Sequence, residues 1–223
     1  MGTMLKLTTS DNHTLGAYRA DPVGKPKGGM VVIQEIFGVN HHIKHICDDL
    51  AAHGYVAIAP AVFDRFVRDF DSGYSPDEVA HARSLLGSLN WDHMMADTTA
   101  ARENLKGVGP IGLIGFCMGG TAAFLGAARV PGFVTAVAFY GGAIGKFVDE
   151  KPKCRMQMHF GEKDESIPMT VVDEIRTKHP DAEIYVYPGA PHAFSNNDRP
   201  SFRKDDSDLA WKRTYEFLAK TLK

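Results

Sequence analysis

Short apolar runs alternate with amphipathic segments along most of this chain, and no other sequence feature constrains the fold as much. The β-branched run GMVVIQE at 29–35 and the run YVAIAP at 55–60 are typical of buried strands. The segment between them, NHHIKHICDDLAAHG, has apolar residues at helical spacing and ends at Gly54. Alternating strands and helices form a mostly parallel sheet with helices on both faces. The sequence therefore predicts the α/β class.

The same alternation continues on both sides of these elements. MLKLTTSDNHTLGAYRA predicts two short strands joined at Asp11-Asn12. Ser75 and Glu78 predict a helix start, because Ser75 can cap the helix and Glu78 completes a capping box. Further elements are a helix from about Trp91 to Lys106, strand IGLIG, helix TAAFLGAAR, strands VTAVAFYG and CRMQMHFG, a helix after Pro168, strand EIYVYPG and a C-terminal helix. Since no long linker interrupts the pattern, we expect one domain over residues 1–223.

Composition and charge are those of an ordinary globular protein. The chain has 223 residues, 44% of them hydrophobic, and a net charge of −2, so we expect neither nucleic acid nor a membrane as partner. No apolar run approaches the roughly 18 residues of a membrane-spanning helix, and the N-terminal segment lacks the apolar core of a signal peptide. The widely spaced Cys47, Cys117 and Cys154 favour a reducing compartment. We expect a cytoplasmic monomer or small homo-oligomer that acts on a small molecule.

Cys117 follows the predicted strand IGLIG, in the run G-F-C-M-G. Reactive groups of such sheets gather beyond the carboxyl ends of the strands. G-x-C-x-G is the nucleophile-elbow pattern with cysteine in place of serine, and its tight turn requires small residues at Gly115 and Gly119. The turn exposes the side chain and directs the N–H groups of the helix start into the same space. The alternative is a buried cysteine whose neighbouring glycines serve only packing.

A nucleophile needs a base, which should follow a later strand. Three histidines lie downstream of Cys117. His159 falls within the strand CRMQMHF, and His179 lies in a surface-like KHPD context. His192 lies in the loop PGAPHAF, directly after strand EIYVY. The position of this loop predicts that His192 is the base.

The acid that orients the base should follow the strand before that one. MHFGEKDESIP supplies Glu162, Asp164 and Glu165. The turn G-x-x-D points Asp164 inward, whereas Glu162 and Glu165 are expected to face solvent. The predicted triad is therefore Cys117, Asp164 and His192.

The loop QEIFG at 34–38 follows a buried strand and should supply one oxyanion donor. We expect the backbone N–H groups of Ile36 and Met118 to form this pair. Glu35 in the same loop is either a solvated charge or a pocket residue. In the second case its negative charge would hold Cys117 protonated at rest.

The motifs QEIFGVN, GFCMGG, FGEKD and GAPHAF, in this order and at these spacings, resemble those of the dienelactone hydrolases (carboxymethylenebutenolidases) over nearly the whole chain. The resemblance implies an α/β-hydrolase fold and the triad Cys117, Asp164 and His192. It also implies that Glu35 contacts the resting thiol, is displaced by substrate and then takes the thiol proton. The substrate in this family is a small unsaturated lactone with a carboxylate, which is opened to an oxo-acid in aromatic degradation.

One position departs from the family. An arginine that grips the substrate carboxylate often stands four residues after the catalytic histidine, where this chain has Asn196. A second family arginine should precede the Trp91 helix, where Arg65, Arg68 and Arg83 are available. Arg65 lies nearest to a strand end and is our candidate, with a solvated surface arginine as the alternative. Arg65 and Asn196 are both kept as substrate contacts.

Neither a metal nor another cofactor is expected. His41 and His45 lie one helical turn apart, but a third ligand is not evident and HHxxH lacks the glutamate of the zinc-protease pattern. GFCMGG is not a dinucleotide fingerprint, because G-x-G-x-x-G is absent. We expect hydrolysis of small esters or lactones through an acyl-enzyme. The alternatives are hydrolysis of a different carboxylic ester or a thioester and, in another class, a non-catalytic thiol sensor or binding protein.

Overall fold

The computed structural model describes all 223 residues, and an eight-stranded sheet runs through its centre. The strands are β1 (Thr3–Thr8), β2 (Thr14–Ala20), β3 (Gly28–Ile33), β4 (Tyr55–Pro60), β5 (Ile111–Phe116), β6 (Thr135–Phe139), β7 (Arg155–Gly161) and β8 (Glu183–Tyr187). Their order in the sheet is β1-β2-β4-β3-β5-β6-β7-β8. β1 and β2 form an antiparallel hairpin, β2 is antiparallel to β4, and all other neighbours are parallel. The predicted α/β fold with a mostly parallel sheet is confirmed.

Six helices connect and follow the strands: α1 (His41–Ala52), α2 (Pro76–Ser84), α3 (Trp91–Asn104), α4 (Met118–Arg129), α5 (Met169–Lys178) and α6 (Lys204–Thr221). The predicted capping box is present, since the Ser75 side chain accepts from the Glu78 N–H and the Glu78 carboxylate accepts from the Ser75 N–H. Three short 3₁₀ segments were not predicted, at Val62–Arg65, Leu85–Ser88 and Ile144–Phe147. None of the helices combines the length and the apolar character that crossing a membrane requires.

The centre of the sheet is buried on both faces. Every residue of β3, β4, β5 and β6 is buried, and α1 and α4 pack against these strands. This double burial explains why these strands are continuous apolar runs rather than alternating ones. Each fully buried Val, Leu or Ile side chain contributes about 1.5–3 kcal/mol, so the centre of the sheet is a rigid support for the loops at its edge.

The carboxyl ends of β3, β5, β7 and β8 lie along one edge of the sheet, because these strands are parallel. Glu35 follows β3, Cys117 follows β5, Asp164 follows β7 and His192 follows β8. The topology therefore collects on one edge the residues that the sequence analysis had selected from separate segments.

Candidate active site

The turn between β5 and α4 holds Cys117 in a strained backbone conformation, with φ 56° and ψ −116°. Non-glycine residues in such regions cost about 1–3 kcal/mol each. A Cβ atom on Gly115 would lie 1.8 Å from the carbonyl oxygen of Gly119, and one on Gly119 would lie 2.2 Å from that of Ile33. The Cys117 N–H donates to the Phe139 carbonyl at 3.0 Å. Both flanking glycines are therefore required for close backbone approach.

His192 and Asp164 form a short, charge-assisted hydrogen bond. His192 Nδ1 donates to Asp164 Oδ2 at 2.6 Å, and the Asp164 side chain is fully buried. Its second oxygen, Oδ1, accepts from the Ser166 N–H at 2.9 Å. Because Nδ1 is committed to the carboxylate, Nε2 is the ring nitrogen left for Cys117, which lines the same cleft as His192. The structure thus brings Cys117, His192 and Asp164 together at one site.

The electrostatics around His192 favour the cationic form of its imidazole ring. Burial alone would lower the pKa of His192, but the charge of Cys117 and the hydrogen bonds to Asp164 and Cys117 outweigh it and raise the pKa. An imidazolium beside a sulfur stabilises the thiolate, which is the nucleophilic form of cysteine. The arrangement is therefore suited to nucleophilic chemistry at Cys117.

The other two downstream histidines are occupied within the fold. His159 is fully buried, and its ring nitrogens lie 2.8 Å from Tyr187 Oη and 2.9 Å from Gln157 Oε1. Burial lowers the pKa of His159 to about 3, so this ring is neutral. His179 is also buried, with Nε2 2.8 Å from the Val148 carbonyl, which corrects the surface-like position expected from its context.

Two backbone donors border the same cleft as Cys117. They belong to Ile36, in the loop after β3, and to Met118, the first residue of α4. The Ile36 N–H makes no hydrogen bond within the protein. The Met118 N–H belongs to the first helical turn, where no carbonyl one turn back is available. Two free donors beside a nucleophile are what an oxyanion requires, although their role stays a prediction.

Glu35 is buried, only 1% exposed, which rules out the solvated charge considered as one alternative. Its Oε2 accepts from Asn196 Nδ2 at 2.6 Å, whereas Oε1 has no hydrogen-bond partner. No hydrogen bond joins Glu35 to Cys117 in this structure, and Glu35 does not line the cleft. The contact with the resting thiol that the family resemblance implies is therefore replaced here by a contact with Asn196.

Asn196 does not reach the cleft, which corrects the substrate contact expected for it. The side chain is fully buried, and Nδ2 lies 3.0 Å from Tyr74 Oη in addition to its bond with Glu35. Its Oδ1 accepts from the Asp198 N–H at 3.0 Å. With donor and acceptor groups both engaged inside the protein, Asn196 supports Glu35 rather than a substrate.

Arg65 requires a similar correction. Its guanidinium pairs with Asp97 at 2.7 Å and with Asp11 at 2.6 Å, and only 10% of the side chain is exposed. Arg65 lies against α3, outside the cleft that contains Cys117. Two carboxylates engage all three nitrogens of this guanidinium within the fold, and sequence position alone did not reveal these partners.

The cleft at Cys117 has a volume of about 820 Å³. One wall is apolar and comes from α2, the 3₁₀ segment Leu85–Ser88 and the start of α3, with Val79, Leu86, Leu89 and Trp91. The volume falls within the range of roughly 300–1,000 Å³ that is usual for small-molecule sites. The cleft can therefore hold a small, partly apolar ligand against the nucleophile.

Three cationic side chains, Arg83, Lys146 and Arg199, also line the cleft, and none of them forms an ion pair within the protein. The Arg199 guanidinium lies 5.5 Å from the centre of the Phe37 ring. Glu165 is the one carboxylate of the cleft lining, and it is exposed as predicted. The sequence analysis named Arg83 without selecting it and missed Lys146 and Arg199. The signal for Arg199 was its place in the loop of His192, seven residues further on.

Comparison with known proteins agrees with this geometry. The model of the dienelactone hydrolase family matches residues 15–222. A "putative carboxymethylenebutenolidase" from Synechocystis sp. is 34% identical, over 99% of this chain and 98% of the relative. A relative of the same name from Escherichia coli K12 is 32% identical, over 94% of this chain and 83% of the relative.

Solved structures show the same relationship. A "putative dienelactone hydrolase" from Klebsiella pneumoniae is 29% identical, covers 98% of this chain and 99% of its own, and superposes with a TM-score of 0.83. The dienelactone hydrolase-like phosphotriesterase P91 from metagenomic libraries, 20% identical with a TM-score of 0.77, shares the fold. The chain belongs to the dienelactone hydrolase family, which confirms the resemblance seen in its motifs and the prediction of a carboxylic ester hydrolase.

Proposed function

We propose that this protein hydrolyses small esters or lactones through a covalent acyl-enzyme on Cys117. The observation that carries the proposal is the position of His192, which bonds to the buried Asp164 at 2.6 Å and lines the same cleft as Cys117. Nucleophile, base and orienting acid in this geometry are the parts that nucleophilic acyl transfer requires. The tight turn between β5 and α4 presents the Cys117 sulfur to the cleft, and the cleft is large enough for a small substrate.

Acylation begins when the Cys117 thiolate attacks the substrate carbonyl carbon. The carbon–sulfur bond forms, and the carbonyl oxygen becomes an oxyanion that the N–H groups of Ile36 and Met118 bind. When the oxyanion collapses, the bond to the leaving oxygen breaks, and His192 gives that oxygen the proton on Nε2. In a lactone the leaving oxygen stays attached to the acyl group through the opened ring.

Deacylation uses His192 in its neutral form. His192 Nε2 removes a proton from a water molecule, whose oxygen attacks the thioester carbon. Collapse of the second oxyanion breaks the carbon–sulfur bond. The product leaves as a carboxylate after its acidic proton has passed to the sulfur, which returns Cys117 to its thiol form. Asp164 holds the ring in one tautomer and stabilises the imidazolium in both half-reactions.

Glu35 is part of the proposal as the acceptor of the thiol proton. It directly precedes the oxyanion donor Ile36, it is buried, and its Oε1 makes no hydrogen bond. A free carboxylate oxygen beside the reaction centre can take the proton of Cys117 when substrate enters. Burial lowers the pKa of His192, but the hydrogen bond to Asp164 and its charge raise it even while Cys117 is a thiol, which favours a protonated ring that is ready to donate to the leaving group.

The charge of the cleft supports a substrate that carries a carboxylate. Arg83, Lys146 and Arg199 present three unpaired cations against the single carboxylate of Glu165. Arginine recognises carboxylates through a planar fork of donors. The name carboxymethylenebutenolidase, borne by the relatives, denotes enzymes for such an acidic lactone. We therefore propose small acidic lactones or esters as the substrate class, and we keep the cytoplasm as the compartment because all three cysteines are free.

Trapping the acyl-enzyme tests the proposal. Intact-protein mass spectrometry after mixing with an activated aryl ester should show one added acyl group on the wild type and none on Cys117→Ala. Cys154→Ala is the matched control, because Cys154 is the other partly exposed thiol and burial raises its pKa to about 11. The control should acylate and turn over like the wild type. Acylation that survives in Cys117→Ala would exclude Cys117 as the nucleophile.

A further inference from the structure

Buried polar atoms without a hydrogen-bond partner are concentrated behind the active site. The structure contains four such side-chain atoms, and three of them lie between β3 and the first turn of α1: Gln34 Oε1, Glu35 Oε1 and His42 Nε2. Buried polar atoms in proteins are almost always paired, and an exception needs an explanation such as a bound water or a catalytic role. Three exceptions within one small region point to a shared partner.

Two consecutive asparagines determine which atoms of this cluster stay free. Asn196 Nδ2 donates to Glu35 Oε2 at 2.6 Å, and Asn197 Oδ1 lies 3.3 Å from His42 Nδ1. An amide oxygen only accepts, so His42 Nδ1 carries the hydrogen and Nε2 is an acceptor. Glu35 Oε1 and His42 Nε2 are therefore both acceptors and cannot bond to each other. A water molecule, which has two O–H donors, is the kind of partner that suits two buried acceptors.

His42 also connects this cluster with the surface. It is 3% exposed, and it lines a second cleft of about 270 Å³ between α1 and α6, which also contains His45, Asp49 and Trp211. Glu35 directly precedes Ile36, a residue of the Cys117 cleft. The His42 ring also lies 6.2 Å, between ring centres, from that of Phe116, the residue before Cys117. The cluster therefore has neighbours both at the reaction site and at a separate opening to solvent.

The charges around His42 leave it able to accept a proton. Burial lowers the pKa of His42, and the nearby His45 lowers it further. The charges of Glu35 and Asp198 act in the opposite direction and raise the pKa. Asp49 is the remaining charged group of the second cleft, to which α6 contributes no charged side chain. His42 is therefore neutral at neutral pH, with Nε2 free.

We propose that His42 is a proton-relay residue that resets Glu35 to its carboxylate form through a buried water. This inference rests on the proposed role of Glu35 as acceptor of the thiol proton. The O–H bond of protonated Glu35 breaks as its proton passes to the water, and the water gives one of its own protons to His42 Nε2. Glu35 is again a carboxylate, and the imidazolium of His42 releases the proton to solvent through the second cleft. Hydrolysis of an ester near neutral pH releases one proton per turnover, so the site needs such an exit.

The kinetic test compares His42→Gln with His53→Gln, an exposed histidine at the C-terminal end of the same helix and outside the second cleft. His42→Gln keeps hydrogen-bonding groups but cannot carry a proton. It should lower kcat by about 10-fold with KM unchanged, less than the roughly 10²–10⁴-fold of direct acid–base catalysis. His53→Gln should match the wild type.

The Glu35→Gln background separates a relay from a structural role. If His42 acts through Glu35, adding His42→Gln to Glu35→Gln should cause no further loss of kcat. Added imidazole should restore the rate of His42→Ala by entering the second cleft. An equal loss of kcat in both backgrounds, no loss in His42→Gln, or no response to imidazole would overturn the relay. The acyl-enzyme mass would be unaffected by that failure, whereas failure of the proposed function would show as acylation of Cys117→Ala.

Discussion

His159 lies within β7 and His192 lies in the loop after β8, the last two strands of the sheet. The surroundings of the two histidines differ almost completely. His159 lies inside the sheet, bonded to Tyr187 and Gln157, and burial lowers its pKa to about 3. His192 faces a cleft, bonded to the buried carboxylate of Asp164, and its pKa is raised despite burial. Beside neutral partners the desolvation of His159 dominates and lowers its pKa, whereas the neighbouring Cys117 and Asp164 reverse the effect of burial at His192. The charge of the partners thus separates a structural histidine from a reactive one.

Two arginines repeat the comparison. Arg65 is held by two carboxylates, Asp97 and Asp11, so its donors are used within the fold. Arg199 has no ion-pair partner and lies over the rings of Phe37 and Tyr74 at the rim of the cleft. The arginine available to a ligand is therefore the one that the fold leaves unpaired.

The largest expected effect distinguishes the two histidines. His192→Gln should lower kcat/KM by at least about 10⁴-fold, because nucleophile activation and leaving-group protonation are both lost. His159→Gln should keep the wild-type kcat/KM per folded molecule, with the folded fraction checked by circular dichroism. Steady-state hydrolysis of an aryl ester measures both. Comparable losses of activity in the two folded variants would break the comparison.

The second effect concerns the two arginines. Arg199→Ala should raise KM for acidic lactones roughly 10- to 150-fold, the loss of one charge-assisted hydrogen bond, with much less change for neutral esters. Arg65→Ala should leave the ratio between acidic and neutral substrates unchanged and instead destabilise the fold, because it leaves Asp97 buried without its partner. Substrate kinetics and urea unfolding of both variants test this. A selective KM change in Arg65→Ala would instead return that residue to the substrate site.

The smallest effect is on stability and its pH dependence. The pKa of His159 is about 3 in the fold and about 6.5 when unfolded, so between these values the unfolded chain binds a proton that the folded chain does not. Stability therefore falls as the pH decreases from about 6.5 towards 3. When the pH is lowered from 7 to 5, this residue should decrease the free energy of unfolding by about 2 kcal/mol.

His159→Gln removes that contribution. Urea unfolding at the two pH values should show a smaller acid-induced loss in His159→Gln than in the wild type. Identical losses would mean that His159 is protonated in the folded state.

Local sequence patterns were sufficient to predict the element order and the chemical groups of the site. Short continuous β-branched runs are typical of doubly buried strands, and chain order then places Cys117, Asp164 and His192 after β5, β7 and β8. The glycines of G-F-C-M-G identified the elbow, because a Cβ at Gly115 or Gly119 collides with backbone. These are local constraints, which a sequence displays directly.

Which of the charged groups are free depends on contacts that form only in the folded protein. Arg65 was selected for its place near a strand end, but Asp11 and Asp97, far away in sequence, use its donors. Glu35 and Asn196, separated by 161 positions, bond to each other, and this contact removed Asn196 from the substrate site. Whether a polar side chain is satisfied depends on partners brought together by folding, and a linear pattern contains no information about such distances.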